Sequence, residues 1–367
     1  MDSVKLVDIC RIEKGQQIDT SRLNDSHRYR YINGGVKESG YYDSFNSNEE
    51  CVLVSEGGAS CGYVNYINEP FWCGCHCYRL FDLKVMPKYL YYALKANQER
   101  IMDLRTGVCM PNIKKKEFQN FVVSIDRDAK RQDAEVKVLD TIQKAIDLKR
   151  KQLQDLDELV KSKFQEMFGD ESKFDKQPLS KSVVEMFIGP FGSALKNECF
   201  VDREQGYCIV YEQKHAIKKT IDLPARYITG EKYNELRRFT VLPDDIIISC
   251  RGTIGEVYTI PQGAPLGVIH PSLMKIRLKS GVYNNVFFTY IIEKYMQEHA
   301  YKAVGNCVKM AVTATVLGKE SFIVPSKKMQ DDFAQYDKGV RKAKEIVQHE
   351  IDDLEELMDS KMDEYFG

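Results

Sequence analysis

A short segment in the first third of the chain has residue types that could support nucleophilic catalysis. Gly58-Ala59-Ser60-Cys61-Gly62 matches the Gly-x-Ser-x-Gly pattern of serine hydrolases. In those enzymes the serine lies on a turn that leads from a strand into a helix. Here residues 63–67 have the pattern of another strand and Pro70 follows, so the segment favours a turn between two strands over a catalytic Ser60.

The segment Cys73-Gly74-Cys75-His76-Cys77 contains residue types that bind zinc. Structural zinc sites pair ligands two to four residues apart and need a second pair elsewhere to complete four. On a strand the three cysteines would share one face while His76 points to the other. A buried strand of small thiols is therefore favoured over a metal site. The 11 cysteines of the chain indicate reduced thiols rather than disulfides.

Other catalytic signatures are missing from the sequence. Gly318-Lys319 is followed by Glu320 and has no glycine five residues before it, so no phosphate-binding loop is predicted. The Asn/Asp-Pro-Pro-aromatic sequence of amino-methyltransferases is also absent. These motifs therefore identify no enzyme class and no metal or cofactor site in the sequence.

An internal repeat determines how the elements must be arranged. Residues 156–169 and 354–367 are identical at eight of fourteen positions, at an offset of 198. Residues 52–62 resemble 246–255 at an offset of 194, which aligns Ser55 with Ser249. The chain is thus predicted to contain two copies of one plan, each an irregular domain followed by a long helix.

Each copy ends in a segment that is typical of a long helix. Residues 129–167 contain no Pro or Gly, and apolar residues recur every seven positions from Leu139 to Met167, forming a heptad seam. The second copy repeats this register from Val340 to Tyr365. A helix of about 38 residues would be roughly 57 Å long. Pairing of the two helices with each other is therefore favoured over packing on their own domains.

The remainder of each copy has the pattern of an α/β domain. Short apolar runs such as Cys51–Val54 and Ile246–Ile248 are bounded by Gly, Asn, Pro or Asp, which is typical of strands and turns. We predict α/β (α+β) domains joined by two antiparallel helices that form a coiled-coil spacer with a pseudo-twofold repeat. The predicted ranges are 1–125 and 170–325 for the domains, and 126–169 and 326–367 for the helices.

Charge is distributed unevenly along the chain. The whole sequence has a net charge of −1, yet residues 328–366 carry six basic and twelve acidic residues. The α/β domains are therefore mildly basic, which permits DNA binding without requiring it. No apolar run reaches the 18 or more residues of a membrane span, and no secretion signal precedes the first strand, so a cytoplasmic protein is expected.

Two similar domains, each followed by a long helix with a matching seam, resemble the specificity subunit of type I restriction-modification systems. The resemblance covers the whole chain and rests on the duplicated helix ends. It also rests on GPFGSAL at 189–195, on HPSLMKIRL at 270–278, and on the junctions at 106–123 and 304–325. The Pro-Pro…Gln junction of that family is kept only as Pro325 with Gln330, and the first junction reads Ser124-Ile125-Asp126.

The resemblance implies a non-catalytic, sequence-specific DNA-binding subunit of a restriction system. Each target recognition domain would read one half of a bipartite target in double-stranded DNA, and the helices would fix the gap between the halves. Two modification (methyltransferase) subunits would bind the helices, bring S-adenosylmethionine and carry out adenine DNA methylation. Restriction (translocase/nuclease) subunits, which use ATP, would join to cleave DNA. The alternative is a coiled-coil scaffold that binds only protein.

Gly-flanked polar loops supply the candidate DNA-binding residues. Glycine lets the backbone approach phosphate, Ser and Lys donate hydrogen bonds, and Arg can recognise guanine. For Arg251 a solvated turn residue is the alternative, and for His270 a structural histidine. His76 is placed as the counterpart of His270. The candidates are Lys14, Gln16, Gln17, Gly58, Ser60 and His76 in the first copy, and Phe191, Gly192, Ser193, Lys196, Arg251, Thr253, His270 and Ser272 in the second.

Apolar residues outside the seam indicate where a partner would bind the helices. Leu159 and Leu357 are equivalent at the offset of 198, as are Phe164 and Met362. Exposed apolar surface of this kind is typical of partner sites. Two copies of one partner should then bind about a pseudo-twofold axis. The alternative is that these residues pack against the recognition domains.

Overall fold

The computed structural model describes residues 1–367 except 49, 108, 109, 252, 300, 305, 306, 311 and 312, with the backbone alone at 301–304 and 307–310. The chain divides into two compact units. The first unit contains residues 1–153 and 346–367, and the second contains residues 154–345. Within the described part of the chain, no helix has the length and apolar character to cross a membrane.

The first unit is built on a four-stranded antiparallel sheet with the order β2-β8-β5-β6, and α2 packs against β5 and β6. A three-stranded sheet, β4-β3-β7, and the pair β1-β9 complete it. Its strands are β1 Asp2–Lys5, β2 Arg11–Lys14, β3 Tyr29–Ile32, β4 Gly40–Tyr42, β5 Cys51–Ser55, β6 Val64–Ile67, β7 Trp72–Cys73, β8 Cys77–Phe81 and β9 Val122–Ile125. The helices of this copy are α1 Leu6–Ile9, α2 Pro87–Ala96, α3 Gln98–Met102, α4 Lys115–Gln119 and the long α5 Ala129–Phe168.

The second unit repeats this topology with two four-stranded sheets, β11-β18-β15-β16 and β13-β12-β17-β14. Its strands are β10 Lys176–Pro178, β11 Val183–Ile188, β12 Cys208–Tyr211, β13 Arg226–Ile228, β14 Thr240–Val241, β15 Ile246–Ser249, β16 Val257–Thr259, β17 Gly267–Ile269, β18 Leu273–Leu278, β19 Tyr301–Val304, β20 Cys307–Met310 and β21 Ser321–Ile323. The helices are α6 Gln213–Lys218, α7 Gly230–Glu235, α8 Asn285–His299, α9 Ala314–Lys319 and the long α10 Lys327–Phe366. The predicted fold class, mixed α/β domains with long antiparallel helices, is confirmed.

The central strands of each unit are buried because both of their faces are covered. Every residue of β5 and of β15 is buried, which explains why their sequences, CVLVS and IIIS, are nearly continuous apolar runs. Val52 pairs with Leu80 in the first unit, and Ile246 pairs with Ile276 in the second. The same strand pairing therefore recurs in both copies.

Strand register corrects one predicted equivalence. The backbone N–H of Glu56 donates to the carbonyl of His76, and the N–H of Cys250 donates to the carbonyl of Ser272. His76 is therefore the counterpart of Ser272, not of His270. The sequence alignment placed the two histidines together because their types match, whereas the hydrogen-bond ladder places His270 two residues earlier.

The heptad seam lies where the repeat predicts it. In the first unit, Lys149 pairs with Glu350 at 2.7 Å and Arg150 with Glu355 at 2.6 Å. Phe366, at the end of α10, packs on Tyr89, whose hydroxyl accepts from the N–H of Asp126 just before α5, so the two helices run antiparallel. In the second unit Lys344 pairs with Asp157 at 2.6 Å. The buried seam residues include Leu139, Ile142, Ile146 and Val160 of α5 and Val340, Val347, Ile351 and Met358 of α10.

The start of each long helix is held by a buried glutamine. Gln132 accepts a hydrogen bond from the N–H of Met86 and donates to the carbonyl of Asp126. Gln330, exactly 198 residues later, accepts from the N–H of Asn284 and donates to the carbonyl of Pro325. The first junction therefore keeps the glutamine although it lacks the proline that the family pattern led us to expect.

Candidate nucleic-acid interface

A cleft of ≈ 440 Å³ opens in the first unit where β5 and β8 meet their connecting loops. We call it the first-unit cleft. Gly58, Ser60 and His76, all predicted from sequence, line it together with Asn33, Met110 and Asn112. The cleft thus gathers three of the six candidate residues of this copy at one place.

The turn after β5 has the backbone geometry that its glycines make possible. Gly58 has φ +79° and Gly62 has φ +89°, a region that side chains with a Cβ rarely adopt. A Cβ at Gly62 would come within 2.9 Å of Met102, whereas the space around Gly58 is open. Gly62 is therefore required by packing, and Gly58 leaves room for a ligand to approach the backbone.

A carboxylate that the sequence gave no reason to select lies at the edge of the cleft. Glu56 directly follows β5, and its side chain is 14% exposed. Its Oε1 lies 2.5 Å from the ammonium of Lys14, and its Oε2 lies 3.8 Å from Nδ1 of His76. Lys14, a fourth predicted residue, is thereby linked to the cleft through Glu56.

The two candidate glutamines lie on the loop after β2. The backbone N–H of Gln16 donates to the carbonyl of Cys73, and its carbonyl accepts from the indole of Trp72. The side chain of Gln17 accepts from the thiol of Cys75 at 2.9 Å and donates to the carbonyl of Ile18. The Gln17 amide is therefore engaged within the fold, while the Gln16 side chain is exposed.

In the second unit, the loop after β11 is an exposed surface. Phe191 is 89% exposed and precedes a short 3₁₀ turn at Gly192–Ala194. Ser193 and Lys196 are also exposed, and the Lys196 ammonium lies 3.8 Å from the carboxylate of Glu198. All four candidate residues of this loop are therefore accessible to a ligand.

His270 is oriented by a buried serine, which corrects the prediction that Ser272 faces DNA. The Ser272 N–H donates to Nδ1 of His270 at 3.2 Å, and its buried hydroxyl lies 2.8 Å from the same nitrogen. Because Nδ1 accepts, the neutral ring carries its proton on Nε2. Burial lowers the pKa of His270; the nearby carboxylate of Glu212 opposes this shift, and the charges of Arg226 and Arg251 add to it. His270 is thus a neutral hydrogen-bond donor at pH 7, and Ser272 positions it.

A charged cluster beside His270 was not predicted. Arg226 donates to Glu212, and its guanidinium lies over the ring of Phe200 at 3.8 Å from the centroid. Burial tends to raise the pKa of Glu212, but hydrogen bonds from Arg226 and Lys214 outweigh it and hold this pKa below its usual value. Glu212 is therefore ionised at neutral pH.

The turn after β15 carries two further candidates. Arg251 and Thr253 are both exposed, and residue 252 between them lies outside the described part. The carbonyl of Thr253 accepts from the hydroxyl of Ser249 at 2.7 Å and from the side chain of Gln213 at 3.1 Å. The carbonyl of Thr253 is thus held by two hydrogen bonds, and the Arg251 side chain is exposed to solvent.

The cysteine-rich segment is a turn between two strands and not the single buried strand that was predicted, because Cys73 ends β7, Cys77 begins β8 and Cys75 lies on the turn between them. Cys73 and Cys77 are buried, and hydrogen bonding to Cys77 together with burial raises the pKa of the Cys73 thiol. Among the described residues, no group of three or more His, Cys, Asp or Glu side chains is arranged to hold a metal ion. Cys75 is only partly covered and donates to Gln17.

Exposed apolar side chains on the long helices occur in equivalent pairs. Leu159 and Leu357 are 48% and 44% exposed, and Leu148 and Ile346, also 198 residues apart, are 59% and 62% exposed. Met362 is half-buried.

Phe164 is different, and its prediction as a partner residue is corrected. Its ring packs among Phe168, Phe287, Tyr290 and Phe333 in the second unit, at centroid distances of 5.2, 5.9, 5.6 and 5.3 Å. Phe164 is half-buried in this aromatic core because α8 covers that side of the helix. The alternative reading, packing against the recognition domain, is the correct one for this residue.

The arrangement is the fold of type I restriction-modification specificity subunits. The S subunit from M. genitalium is similar over 100% of this chain and 96% of its own, with a TM-score of 0.57 and 19% identity. A chain from a structural description of complex assembly and conformational transition in the type I R-M system is similar over 99% of this chain and 97% of its own. For that chain the TM-score is 0.63 and the identity 11%.

Sequence comparison relates the first copy to a known family. Residues 1–158 match the family model of the type I restriction modification DNA specificity domain. A putative type I specificity subunit of Mycoplasma genitalium is 35% identical over 126 residues, which are 34% of this chain and 33% of that protein. One of Mycoplasma pneumoniae is 32% identical over 117 residues, 31% of each chain. The chain is matched over about a third of the length of these curated relatives.

Proposed function

We propose that this chain is the DNA-binding specificity subunit of a type I restriction-modification complex. The observation that carries the proposal is the match of residues 1–158 to a DNA specificity domain, in a chain whose second unit repeats the same strand order. Each recognition domain would read one half of a bipartite target. The loops that bear Gly58 and His76 in the first unit, and Phe191 and Arg251 in the second, are the proposed contact regions.

The paired helices are the proposed spacer between the two half-sites. Each long helix has 40 residues, or about 60 Å. Their pairing combines a buried seam with ion pairs such as Lys149–Glu350, which fixes one register rather than allowing the helices to slide. A fixed register supports a fixed distance between two DNA-reading surfaces.

Two methyltransferase subunits are the proposed partners. The exposed pairs Leu148 with Ile346 and Leu159 with Leu357 provide equivalent apolar patches for two copies of one protein. In this proposal S-adenosylmethionine and ATP are bound by the modification and restriction subunits, and this chain contributes specificity without catalysis.

The function is tested by single-molecule methylome sequencing of a restriction-deficient host. The full chain is expressed alone, with its modification subunits, or omitted while those subunits remain. We expect adenine methylation within one interrupted motif only when both are present. Absence of any motif, with a stable complex that retains no duplex DNA in a mobility-shift assay, would instead favour the protein-binding scaffold.

The partner surface is tested separately by changing Leu159 and Leu357 to Asp. Because both side chains are already half exposed, the isolated subunit should keep its melting temperature, while two charges in an apolar contact should abolish assembly and methylation. The control carries the same charges at exposed polar positions of the same helices, Gln154→Asp and Gln348→Asp. If size-exclusion chromatography still finds two modification subunits on the double leucine variant, this face is not the docking site.

A further inference from the structure

The carboxylate of Glu56 has one oxygen paired and one oxygen available for a ligand. Its Oε1 is held by the ammonium of Lys14 at 2.5 Å. Its Oε2 is 3.8 Å from Nδ1 of His76, which is too long for a hydrogen bond. The side chain is largely covered by protein and lines the first-unit cleft, so Oε2 is the carboxylate oxygen left for a ligand there.

Stability does not explain this ion pair. The Lys14 side chain is 48% exposed, and a pair with such an exposed partner contributes at most about 1 kcal/mol. Strand register makes Ile188 the counterpart of Lys14. Lys14 of β2 and Val54 of β5 both pair with Tyr78 of β8, and Ile188 of β11 and Ile248 of β15 both pair with Met274 of β18. Cys250 is likewise the counterpart of Glu56. The second unit thus builds the same sheet with no charge at either position.

The pair is complementary to one edge of a DNA base pair. In the major groove, guanine presents two adjacent acceptors, O6 and N7, and cytosine presents the N4 amino donor beside them. Lysine on guanine and glutamate on cytosine are favourable pairings, and here the two groups are side by side. At an A·T pair the purine presents only N7 as an acceptor, so the ammonium would have one adjacent acceptor on that base instead of two.

We propose that Lys14 and Glu56 together recognise one G·C base pair in the half-site read by the first unit. Lys14 donates to guanine and Glu56 accepts from the cytosine amino group through Oε2. Open space at Gly58 lets the DNA approach this edge of the cleft. The inference rests on the proposed DNA-binding function and names the specificity-determining residues of its first half.

The test is selection from a library of randomised DNA duplexes, using the full chain in complex with its modification subunits. Wild type should require G·C at one position of the first half-site. Glu56→Gln should lose about 5- to 150-fold of that discrimination and newly accept A·T there, because a glutamine amide pairs with adenine N6 and N7. All other positions should be unchanged.

The matched control is Asp82→Asn, the same change of charge at an exposed residue that follows the opposite end of β8. It should select the wild-type motif. A Glu56→Gln motif identical to wild type would overturn the inference while leaving DNA binding intact. Failure of wild type to retain any duplex would instead refute the proposed function. If melting curves show that Glu56→Gln is unfolded, Lys14→Met decides: an unaltered motif in that folded variant also overturns the inference.

Discussion

The buried glutamine at the start of α10 should be one of the most sensitive polar positions of the second unit. Gln330 is fully buried and makes three hydrogen bonds. It accepts from the N–H of Asn284 at 2.8 Å and donates to the carbonyls of Val282 at 3.1 Å and Pro325 at 2.9 Å. Methionine has a similar shape and replaces none of these bonds. At about 1 kcal/mol for each bond, Gln330→Met should cost about 3 kcal/mol.

Its counterpart in the first unit should cost less. Gln132 accepts from the N–H of Met86 at 2.9 Å and donates to the carbonyl of Asp126 at 2.6 Å, which makes two bonds rather than three. Gln132→Met should therefore cost about 2 kcal/mol. The difference between the two copies is itself a prediction, since the side chains are identical and only the number of partners differs.

Native-state hydrogen exchange is the appropriate assay, because a chain with two units need not unfold in one step. The amide of Asn284 should exchange roughly 150-fold faster in Gln330→Met, and the amide of Met86 roughly 30-fold faster in Gln132→Met. Gln335→Met, an exposed position on the same helix, should change exchange by less than about 0.5 kcal/mol. The reasoning is refuted if the Gln330 variant matches this control, or if the Gln132 variant is the more affected of the two.

Three further predictions concern the spacer and the independence of the two readers. Lys149→Glu should lower the melting temperature because it places like charges together, and adding Glu350→Lys should restore it. The coupling energy between the two substitutions should be about 1 kcal/mol. If the second substitution does not restore the melting temperature, this ion pair does not set the helix register. Inserting one heptad into residues 139–167 adds about 10 Å of helix. Methylome sequencing should therefore show a gap between the half-sites that is longer by up to about three base pairs, with both half-sequences unchanged. An unaltered gap would exclude the helices as the spacer. Exchanging residues 1–125 for the first domain of another family member should alter one half of the methylated motif only, and a change in both halves would contradict independent reading.

The architecture could be predicted because the sequence contains an internal repeat, so each copy supports the interpretation of the other. The offset of 198 between the helix ends predicted equivalent seams, and the buried equivalent residues Ile142 and Val340 confirm them. The same offset predicted that Leu159 and Leu357 are equivalent, and both are exposed. Phe164 was misassigned because a heptad pattern identifies the face that meets the other helix. It does not tell which remaining face is covered by the domain that precedes or follows.

The site was less predictable because the loops do not share one offset. The two histidines look equivalent by type, yet the ladder makes His76 the counterpart of Ser272, since the segment between β15 and β18 is two residues longer than the segment between β5 and β8. Glu56 has no motif around it that would select it. Only the fold brings the carboxylate to the ammonium of Lys14, from a strand some forty residues earlier.

Comparison of the two units shows which kinds of position have the same residue type in both copies and which differ. Positions that hold the sheet, such as Leu80 and Ile276, are apolar and buried in both copies. Positions at the strand ends differ in kind: a carboxylate at Glu56 corresponds to the buried thiol of Cys250. Glu56 and Cys250 both follow the central strand of their sheet, and the strand pairing is the same in both units although the two side chains differ in charge. The same sheet can therefore support two recognition domains with different specificities. The half-site that each unit prefers should depend on a small set of residues at the strand ends and not on the buried residues of the sheet.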